Sequence, residues 1–443
     1  MYAFKTNVLF NRTASSFLLF MMEKLIQIWK ARDLRNSILF VLAMLAIFRL
    51  AAHIPVPGVN AAALRDFFAS NQILGLMNIF TGGGMENFSI VMMGVGPYIT
   101  SSIIFQLLAM IIPKLEEMNK EEAGRQKVNK WTRWLTVPLA ALEAYGMITL
   151  LRRSSNLILG DISTMNLITM IITISAGTIF LMWLGELMTE KKVGNGISLL
   201  IFAGIVAGLL QTVQRVAVTF DPSKLYVILG FLAIALITIV GVVVINEGQR
   251  NVPVQYARQI RGNRMFGGTS THLPLRVNMA GVIPIIFAIS VVIFPPMIAQ
   301  FFVHARTAFL AQAADWTIGF FQNQLVYAIL YFSLVFAFTY FYTEVIFHPT
   351  QIAENLQKQG GFIPGIRPGR NTSEYLANTT HKIIFVGALF LGLIAILPLI
   401  LRYFTGLQFL TIGGTSLLIV VSVVIETVKQ IESQLTMREY EGM

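Results

Sequence analysis

The sequence contains no cysteine, and only 12% of its 443 residues are Asp, Glu, Lys or Arg. Without cysteine the chain has no disulfide, no thiolate metal ligand and no cysteine nucleophile. A soluble domain is typically about 25% charged, so a chain of this length with half that charge cannot cover its surface in water. The composition therefore excludes an ordinary soluble enzyme, a disordered chain and a small secreted scaffold.

Sequence motifs of nucleotide and metal chemistry are also missing. The P-loop pattern G-x-x-x-x-G-K-[ST] does not occur, so the chain is not expected to hydrolyse ATP through such a loop. The five histidines are isolated from one another in sequence, and there is no H-E-x-x-H pattern. We predict a protein without catalytic residues, without a metal site and without a cofactor.

The sequence is instead rich in long apolar stretches: 55% of the residues are hydrophobic and the mean hydropathy is +0.69. A membrane-spanning helix needs roughly 20 mostly apolar residues, and ten stretches meet this description. They are residues 36–52, 88–112, 134–151, 166–185, 193–214, 225–245, 277–303, 320–343, 383–401 and 407–425. Because these runs are continuous, they differ from the short alternating strands of a membrane β-barrel. The sequence predicts an all-α integral membrane protein with ten transmembrane helices.

The distribution of basic residues predicts the orientation in the membrane. Of the 33 Lys and Arg residues, 25 fall in the two termini and in the loops on the same side, and 8 fall on the opposite side. The positive-inside rule therefore places both termini in the cytoplasm, together with the long loops 246–276 and 348–382. Residues 23–35 have the pattern of a basic amphipathic helix on the inner membrane surface, and residues 1–22 are interpreted as an N-terminal extension.

Two ionisable residues lie within the predicted spans, Arg49 near an outer end and Glu143 in the middle of a segment. Charged groups in a membrane are costly and persist for a reason. For Glu143 that reason is either a structural partner or a role in transport. A ten-helix secondary transporter of a small solute is therefore kept as the alternative function.

Six segments carry a resemblance to a known family. They are MNIFTGGG (77–84), GVGPYITSSIIFQLL (94–108), GNGISLLIFAGIVAG (194–208), THLPLRVNMAGVIP (271–284), GGFIPGIRPG (360–369) and GGTSLLIVV (413–421). In order and spacing they resemble the SecY/Sec61-alpha family of protein-translocation channel subunits, and the resemblance extends from about residue 23 to the end. It implies two pseudo-symmetric five-helix halves, residues 23–217 and 218–430, around a central hourglass pore, followed by a cytoplasmic tail, residues 431–443.

A ring of aliphatic side chains is the expected pore constriction. Val95 and Ile99 are spaced i,i+4, as are Ile201 and Ile205, so each pair lies on one helix face. The resemblance assigns these four residues to the pore ring together with two more, Ile286 and Ile419. An apolar ring resists ion flow by dewetting. Aliphatic residues that merely face lipid or pack helices are the alternative interpretation.

The resemblance also implies a plug and a lateral gate. The plug corresponds to residues 77–89, with its core at Asn78, Ile79, Phe80, Thr81, Gly82, Gly83 and Gly84. Spans two and seven carry Pro97, Pro284, Pro295 and Pro296, which favour kinks. The family likeness makes these two helices the walls of a lateral gate that binds signal sequences and releases membrane segments into lipid. The gate positions are Thr100, Ser101, Ile103, Gln106, Ile289 and Phe294.

The long cytoplasmic loops are the expected docking surfaces. Loop 246–276 contains five arginines against one acidic residue, Glu247, which suits an anionic partner such as ribosomal RNA, whereas a plain positive-inside loop beside anionic lipids is the alternative. The docking residues are Arg250, Arg258, Arg261, Arg264, Arg367 and Arg370. The resemblance implies SecE and SecG as partners in the membrane and the SecA ATPase and the ribosome at the cytoplasmic face. It also implies signal peptides and unfolded polypeptides as clients, and the bacterial plasma membrane as location.

Overall fold

The computed structural model describes residues 26–60, 63–64, 67–68, 78, 81–154, 158–159, 163–218, 225–256, 259–261, 264–266, 270–303, 305, 307–405 and 414–441. Long helices dominate these residues. In chain order they are α1 (Arg32–Ala51), α2 (Gly96–Ile111), α3 (Pro113–Lys120), α4 (Glu122–Ser154), α5 (Thr164–Glu190), α6 (Gly196–Val218), α7 (Leu225–Glu247), α8 (Ile283–Phe302), α9 (Ala308–Gln322), α10 (Gln324–Ile346), α11 (Pro349–Lys358), α12 (Arg370–Thr405) and α13 (Gly414–Glu441).

The apolar helices agree with the predicted membrane fold. Within the described residues, six helices are long and apolar enough to cross a membrane, and a seventh span results if the bent pair α2 and α3 is counted as one. Two shorter apolar helices begin at Gly196 and Ile283. Each of the ten predicted stretches overlaps a helix, and the stretch 320–343 covers the last three residues of α9 as well as most of α10. The helical membrane fold is thus confirmed, and the count of ten spans is consistent with it.

The second span begins later than predicted. Helix α2 starts at Gly96 rather than at residue 88, because residues 81–95 form a series of hydrogen-bonded turns. Within residues 88–95, which were predicted to be helical, two residues have a left-handed backbone, Phe88 at φ 45° and Gly94 at φ 57°, which is incompatible with a continuous right-handed helix. At the other end, Pro113 forces Ile112 into an extended conformation, and α3 turns away from α2 by 109°.

Several helices extend beyond their apolar runs on the predicted cytoplasmic side. Helix α4 starts at Glu122 instead of residue 134, α12 starts at Arg370 instead of residue 383, and α13 continues to Glu441 instead of ending at residue 425. A hydropathy run marks only the part of a helix that lies in hydrocarbon. Hydrogen bonding within the helix continues through the polar residues that flank the apolar run.

The two long loops, 246–276 and 348–382, contain a small sheet that the sequence interpretation missed. Strand β1 (Gln249–Tyr256) pairs antiparallel with β4 (Ser270–Arg276), and it also pairs with β5 (Gly361–Phe362) from the other loop. A separate hairpin joins β2 (Gln259–Arg261) and β3 (Arg264–Phe266). An apolar cluster backs the three-stranded sheet, formed by Val252, Val254, Leu275, Leu356, Ile363 and Leu376. The two loops therefore form one folded unit.

Candidate functional site

The six residues of the predicted ring come together in the central hydrophobic core. They lie on four helices, since Val95 directly precedes α2 and the others belong to α2, α6, α8 and α13. Val95, Ile201, Ile205 and Ile419 are buried, and Ile99 and Ile286 pack against the same cluster while keeping part of their surface exposed. We call these six residues the aliphatic ring.

A partly open cavity of about 580 Å³ adjoins the aliphatic ring. Four ring residues line it, and the remaining wall is formed by Thr81, Met85, Met93, Gly96, Glu143, Ile289, Ser290 and Ile293. Apart from the Glu143 carboxyl and two hydroxyls, the lining side chains are apolar. Such a surface holds water weakly, and a narrow apolar passage resists ion flow by dewetting. Because Thr81, Met85 and Met93 belong to the turns before α2, the cavity lies between these turns and the aliphatic ring.

Those turns correspond to the predicted plug segment. Asn78 is described and helical, Thr81 to Phe88 form successive turns, and the predicted positions Ile79 and Phe80 lie outside the described residues. The Asn78 side chain caps the segment, because its Nδ2 donates to Glu86 Oε2 at 3.0 Å and its Oδ1 accepts from the Glu86 backbone N at 2.9 Å. Thr81 Oγ1 donates to the Asn78 carbonyl at 3.1 Å. The segment is therefore internally ordered.

Gly82 fixes the segment against two helices. Its φ of +68° is left-handed, and a Cβ added there would lie 2.8 Å from the Cα of Gly204 on α6 and 3.1 Å from Nη1 of Arg49 on α1. Arg49 Nη1 donates to the Gly82 carbonyl at 2.6 Å. Since Gly204 immediately precedes the ring residue Ile205, this backbone contact seats the segment next to the aliphatic ring. Only glycine fits at position 82.

Glu143 of α4 lies at the cavity wall. The side chain is buried, its exposed fraction being 7%, and its carboxyl lies near the Thr100 side chain of α2, whose hydroxyl donates to the Gly96 carbonyl at 3.2 Å. Gly96 is close as well: a Cβ added to that glycine would be 3.9 Å from Glu143 Oε2. The buried carboxyl thus lies where α4 packs against α2, and a structural role for it stays a prediction.

The predicted gate residues lie on α2 and α8, which contact each other. On α2, Ser101 Oγ donates to the Thr132 carbonyl of α4 at 2.7 Å, so Ser101 is directed towards α4 and not towards α8. Ile103 is buried, and Gln106 Nε2 donates to Ser102 Oγ at 3.0 Å. On α8, Ile289 lines the cavity and Phe294 is half-buried. Ile289 is therefore the predicted gate residue that lines the cavity.

The predicted docking arginines are distributed over the folded loop unit. Arg250 is exposed on β1, and Arg370 is exposed at the start of α12, where its Nε lies 3.0 Å from Glu374 Oε1. Arg261 and Arg264 are in β2 and β3, but their side chains, like the whole of Arg258, lie outside what the structure describes.

Arg367 is held in a defined turn. Gly365 and Gly369 have left-handed φ angles of 82° and 98°, so the chain reverses on either side of the arginine. Ile366 packs into the apolar cluster behind the sheet, and Thr372 Oγ1 donates to the Arg367 carbonyl at 2.9 Å. The backbone of Arg367 is thus fixed while its side chain is exposed.

Apolar helices that converge on an aliphatic ring, with an ordered segment seated beside it, define a multi-spanning membrane protein of the channel class. Comparison with known proteins agrees. The family model for SecY matches residues 89–428, and the protein translocase subunit SecY of Corynebacterium glutamicum is 44% identical over 448 residues, covering 95% of this chain and 100% of the relative. The corresponding subunit of Halalkalibacterium halodurans is also 44% identical, covering 95% and 99%. The chain belongs to the SecY family.

Solved structures show the same fold. A structure of a protein conducting channel superposes with a TM-score of 0.60 at 17% identity, covering 89% of this chain and 91% of the other. A SecY structure concerned with the plug domain gives 0.57 at 18% identity, with the same coverage. Canine Sec61 in a ribosome-channel complex gives 0.52 at 15% identity, covering 89% and 91%. The likeness places the helical architecture in the SecY and Sec61 group.

Proposed function

We propose that this chain is the central subunit of a protein-conducting channel. It moves unfolded secretory polypeptides across the membrane and releases membrane segments sideways into lipid. The observation that carries the proposal is the aliphatic ring, in which six branched side chains on four helices belong to one hydrophobic cluster and four of them line a cavity. Such a ring offers no fixed hydrogen bonds to a passing chain and yields around side chains of different size. The comparisons give no support to a small-solute transporter.

The proposed pathway predicts a crosslink to a translocating chain. Because the protein has no cysteine, Ile205→Cys or Ile286→Cys provides a single attachment point at the ring. We expect a disulfide adduct when a secretory chain carrying one cysteine is arrested during translocation. The matched control is Leu236→Cys on α7, whose side chain is 64% exposed on the lipid-facing surface of the bundle.

The outcomes of the crosslinking experiment are distinct. An adduct at the ring and none at residue 236 supports the pathway. No adduct at either ring position, in membranes that still translocate, would overturn it. Substrate-dependent coupled ion flux in liposomes would instead favour the transporter.

The plug segment is proposed to close the outer side of the ring. It is ordered by Asn78, and Gly82 contacts both α6 and α1. A SecY structure with the same fold was described in terms of a plug domain that stabilises the closed channel. In our proposal the Gly82 contact belongs to the closed state, and the segment leaves its seat when a polypeptide enters.

Arg49→Met is expected to loosen this seat. The substitution keeps most of the aliphatic stem but removes the donor to the Gly82 carbonyl, a charge-assisted hydrogen bond of about 1.5–3 kcal/mol. Because Arg49 is half-buried, the lower figure applies, and it corresponds to about a tenfold rise in the displaced plug population. Ion conductance in planar bilayers is the measurement. A conductance equal to that of the parent protein would show that this bond does not hold the plug.

The proposed assembly follows the family. We place both termini and the folded loop unit in the bacterial cytoplasm, with SecE and SecG as membrane partners and anionic lipids around the basic face. SecA and the ribosome are proposed to dock on the loop unit, where Arg250, Arg367 and Arg370 are exposed. The structural likeness to canine Sec61 in a ribosome-channel complex supports the ribosome as a partner. Energy for movement then comes from SecA with ATP or from synthesis of the chain.

The two halves, residues 23–217 and 218–430, are proposed to open at the contact between α2 and α8. Ile289 of α8 lines the cavity beside the ring, and Thr100 of α2 directly follows the ring residue Ile99, which also lines it. A hydrophobic signal segment placed there touches the apolar lining on one side and lipid on the other.

A further inference from the structure

Helix α9 has three distinct faces that the channel function does not use. It contains 15 residues, joins α8 to α10 and packs against both of them. At 1.5 Å per residue it is about 22 Å long, and so it is shorter than the roughly 30 Å hydrocarbon core. It lies at the end of two spans that the charge distribution assigns to the outer side. The helix is therefore placed beside the membrane surface without crossing it.

The first face packs on the protein. Ala314 is buried, its exposed fraction being 4%, and Phe321 packs against the central hydrophobic core. The connection to α10 is a single extended residue, Asn323, whose side chain accepts from the backbone N of Leu325 at 3.1 Å and of Val326 at 3.4 Å. This cap ends one helix and starts the next, so α9 is held at a fixed place on the bundle.

The second face is apolar and exposed. It consists of Phe309, Ala313, Trp316 and Phe320, at spacings that fall on one stripe of a helix. The Phe309 side chain is 79% exposed and that of Trp316 is 69% exposed, and the rings of Trp316 and Phe320 stack with their centroids 5.3 Å apart. Exposed aromatic patches of this kind indicate an interaction surface.

The third face is exposed and carries the polar side chains Asp315 and Gln322 together with Gly319. It lies next to the aromatic stripe on the helix surface and away from the face that packs on the protein. A helix with one side on protein, one apolar and one polar fits a boundary between hydrocarbon and water. Tryptophan in particular is enriched at that boundary.

The aromatic stripe is continuous with the lipid-facing surface of the neighbouring spans. At the same end of α8, Ile298 and Phe302 are exposed, and at the same end of α10, Leu325 and Ile329 are exposed. Lipid that covers those four side chains also reaches the aromatic stripe. A membrane partner protein on this face would cover the spans as well, so the experiment must distinguish the two.

We infer that α9 is an interfacial anchor, whose Phe309, Trp316 and Phe320 insert into the headgroup region of the outer leaflet while Asp315 and Gln322 face water. The anchor holds the outer end of α8 at a fixed depth. The lipid contact is independent of the proposed channel function. Its consequence for α8 rests on that function, because α8 carries the ring residue Ile286 and the gate residue Ile289.

The test uses the absence of cysteine in the chain. Single variants Trp316→Cys and Asp315→Cys are labelled with a nitroxide, and the full protein is reconstituted with its membrane partners in vesicles of phosphatidylethanolamine and phosphatidylglycerol. Collisions with oxygen, which concentrates in lipid, are compared with collisions with a water-soluble nickel chelate. We expect the ratio of oxygen to nickel collisions to be several-fold higher at position 316 than at the matched position 315. Phe309→Cys and Gln322→Cys form a second pair on the same two faces.

Two results would overturn the inference. A high rate of nickel collisions at positions 316 and 309 would show that the aromatic stripe lies in water. Low collision rates with both reagents at those positions would show that a protein covers it. Since neither measurement involves translocation, the outcome is separate from that of the crosslinking experiment at the ring.

Discussion

Gly82→Val is expected to produce a channel that leaks ions in the absence of a translocating chain. A valine Cβ at this position would lie 2.8 Å from the Cα of Gly204, and two backbones in contact cannot yield as a flexible side chain can. Overpacking of this kind costs about 3 kcal/mol at the upper end of its usual range, which shifts a two-state equilibrium roughly a hundredfold. The plug would then occupy its seat far less often, and conductance in planar bilayers would rise accordingly.

The neighbouring residue provides a matched control. Gly83 has a similar left-handed φ, +80° against +68°, but a Cβ added there meets no atom within 4 Å. Gly83→Val therefore introduces a comparable backbone strain without the contact with α6, and we expect a much smaller leak. Equal leaks in the two variants would show that the contact with Gly204 does not seat the plug. If both variants remained tight and still translocated, the segment would not be the seal.

The membrane architecture could be predicted from the sequence because it depends on local composition. Each apolar run corresponds to a helix, since a chain in lipid must satisfy its backbone hydrogen bonds internally. The ends of the helices could be predicted less well. Helix α12 begins at Arg370, within the loop predicted as 348–382, because polar residues continue a helix without any hydropathy signal. The late start of α2 depends on the left-handed residues Phe88 and Gly94, and of these only the glycine carries a sequence signal.

The small sheet had a signal that was overlooked. Val252 and Val254 are two residues apart, and the structure buries both on one face of β1 while Asn251, Pro253 and Gln255 are exposed on the other. Such alternation is typical of a half-buried strand. The pairing of Gln255 with Phe362 in the other loop could not be found in this way, because it joins segments more than a hundred residues apart.

The same holds for the candidate site: local spacing could be predicted from the sequence, and contacts between distant segments could not. Spacing places Val95 with Ile99 and Ile201 with Ile205, but it cannot bring the two pairs together, and here the family resemblance supplied the prediction. The contact of Gly82 with Gly204 and Arg49 is made largely by backbone atoms, so no pattern of side chains in the sequence predicts it. The proximity of Thr100 to Glu143 was equally hidden, since it arises only when α2 and α4 pack together.

Arg367→Glu is expected to abolish translocation driven by SecA while leaving the closed channel tight. The turn from Gly365 to Gly369 presents this arginine to solvent, and the Thr372 hydroxyl fixes its carbonyl at 2.9 Å. Guanidinium offers five donors in a rigid fork. If Arg367 is a central contact for the motor, its loss costs about 2–4 kcal/mol, or roughly a 30- to 1,000-fold weaker coupling. Charge reversal adds repulsion where the partner is acidic.

The control for Arg367→Glu is an equal charge change in the same loop unit. Lys358 is the last residue of α11 and is exposed, and Lys358→Glu changes the net charge of the cytoplasmic face by the same amount. If the loops acted only through their summed positive charge near anionic partners, both variants would lose translocation equally, and the loss would grow as salt is lowered.

We expect Arg367→Glu to be inactive in a SecA- and ATP-dependent vesicle import assay and Lys358→Glu to import near the parent rate. Because Arg367 is remote from the aliphatic ring, the ion conductance of both variants should equal that of the parent. An Arg367→Glu protein that imports normally would remove this residue from the motor contact.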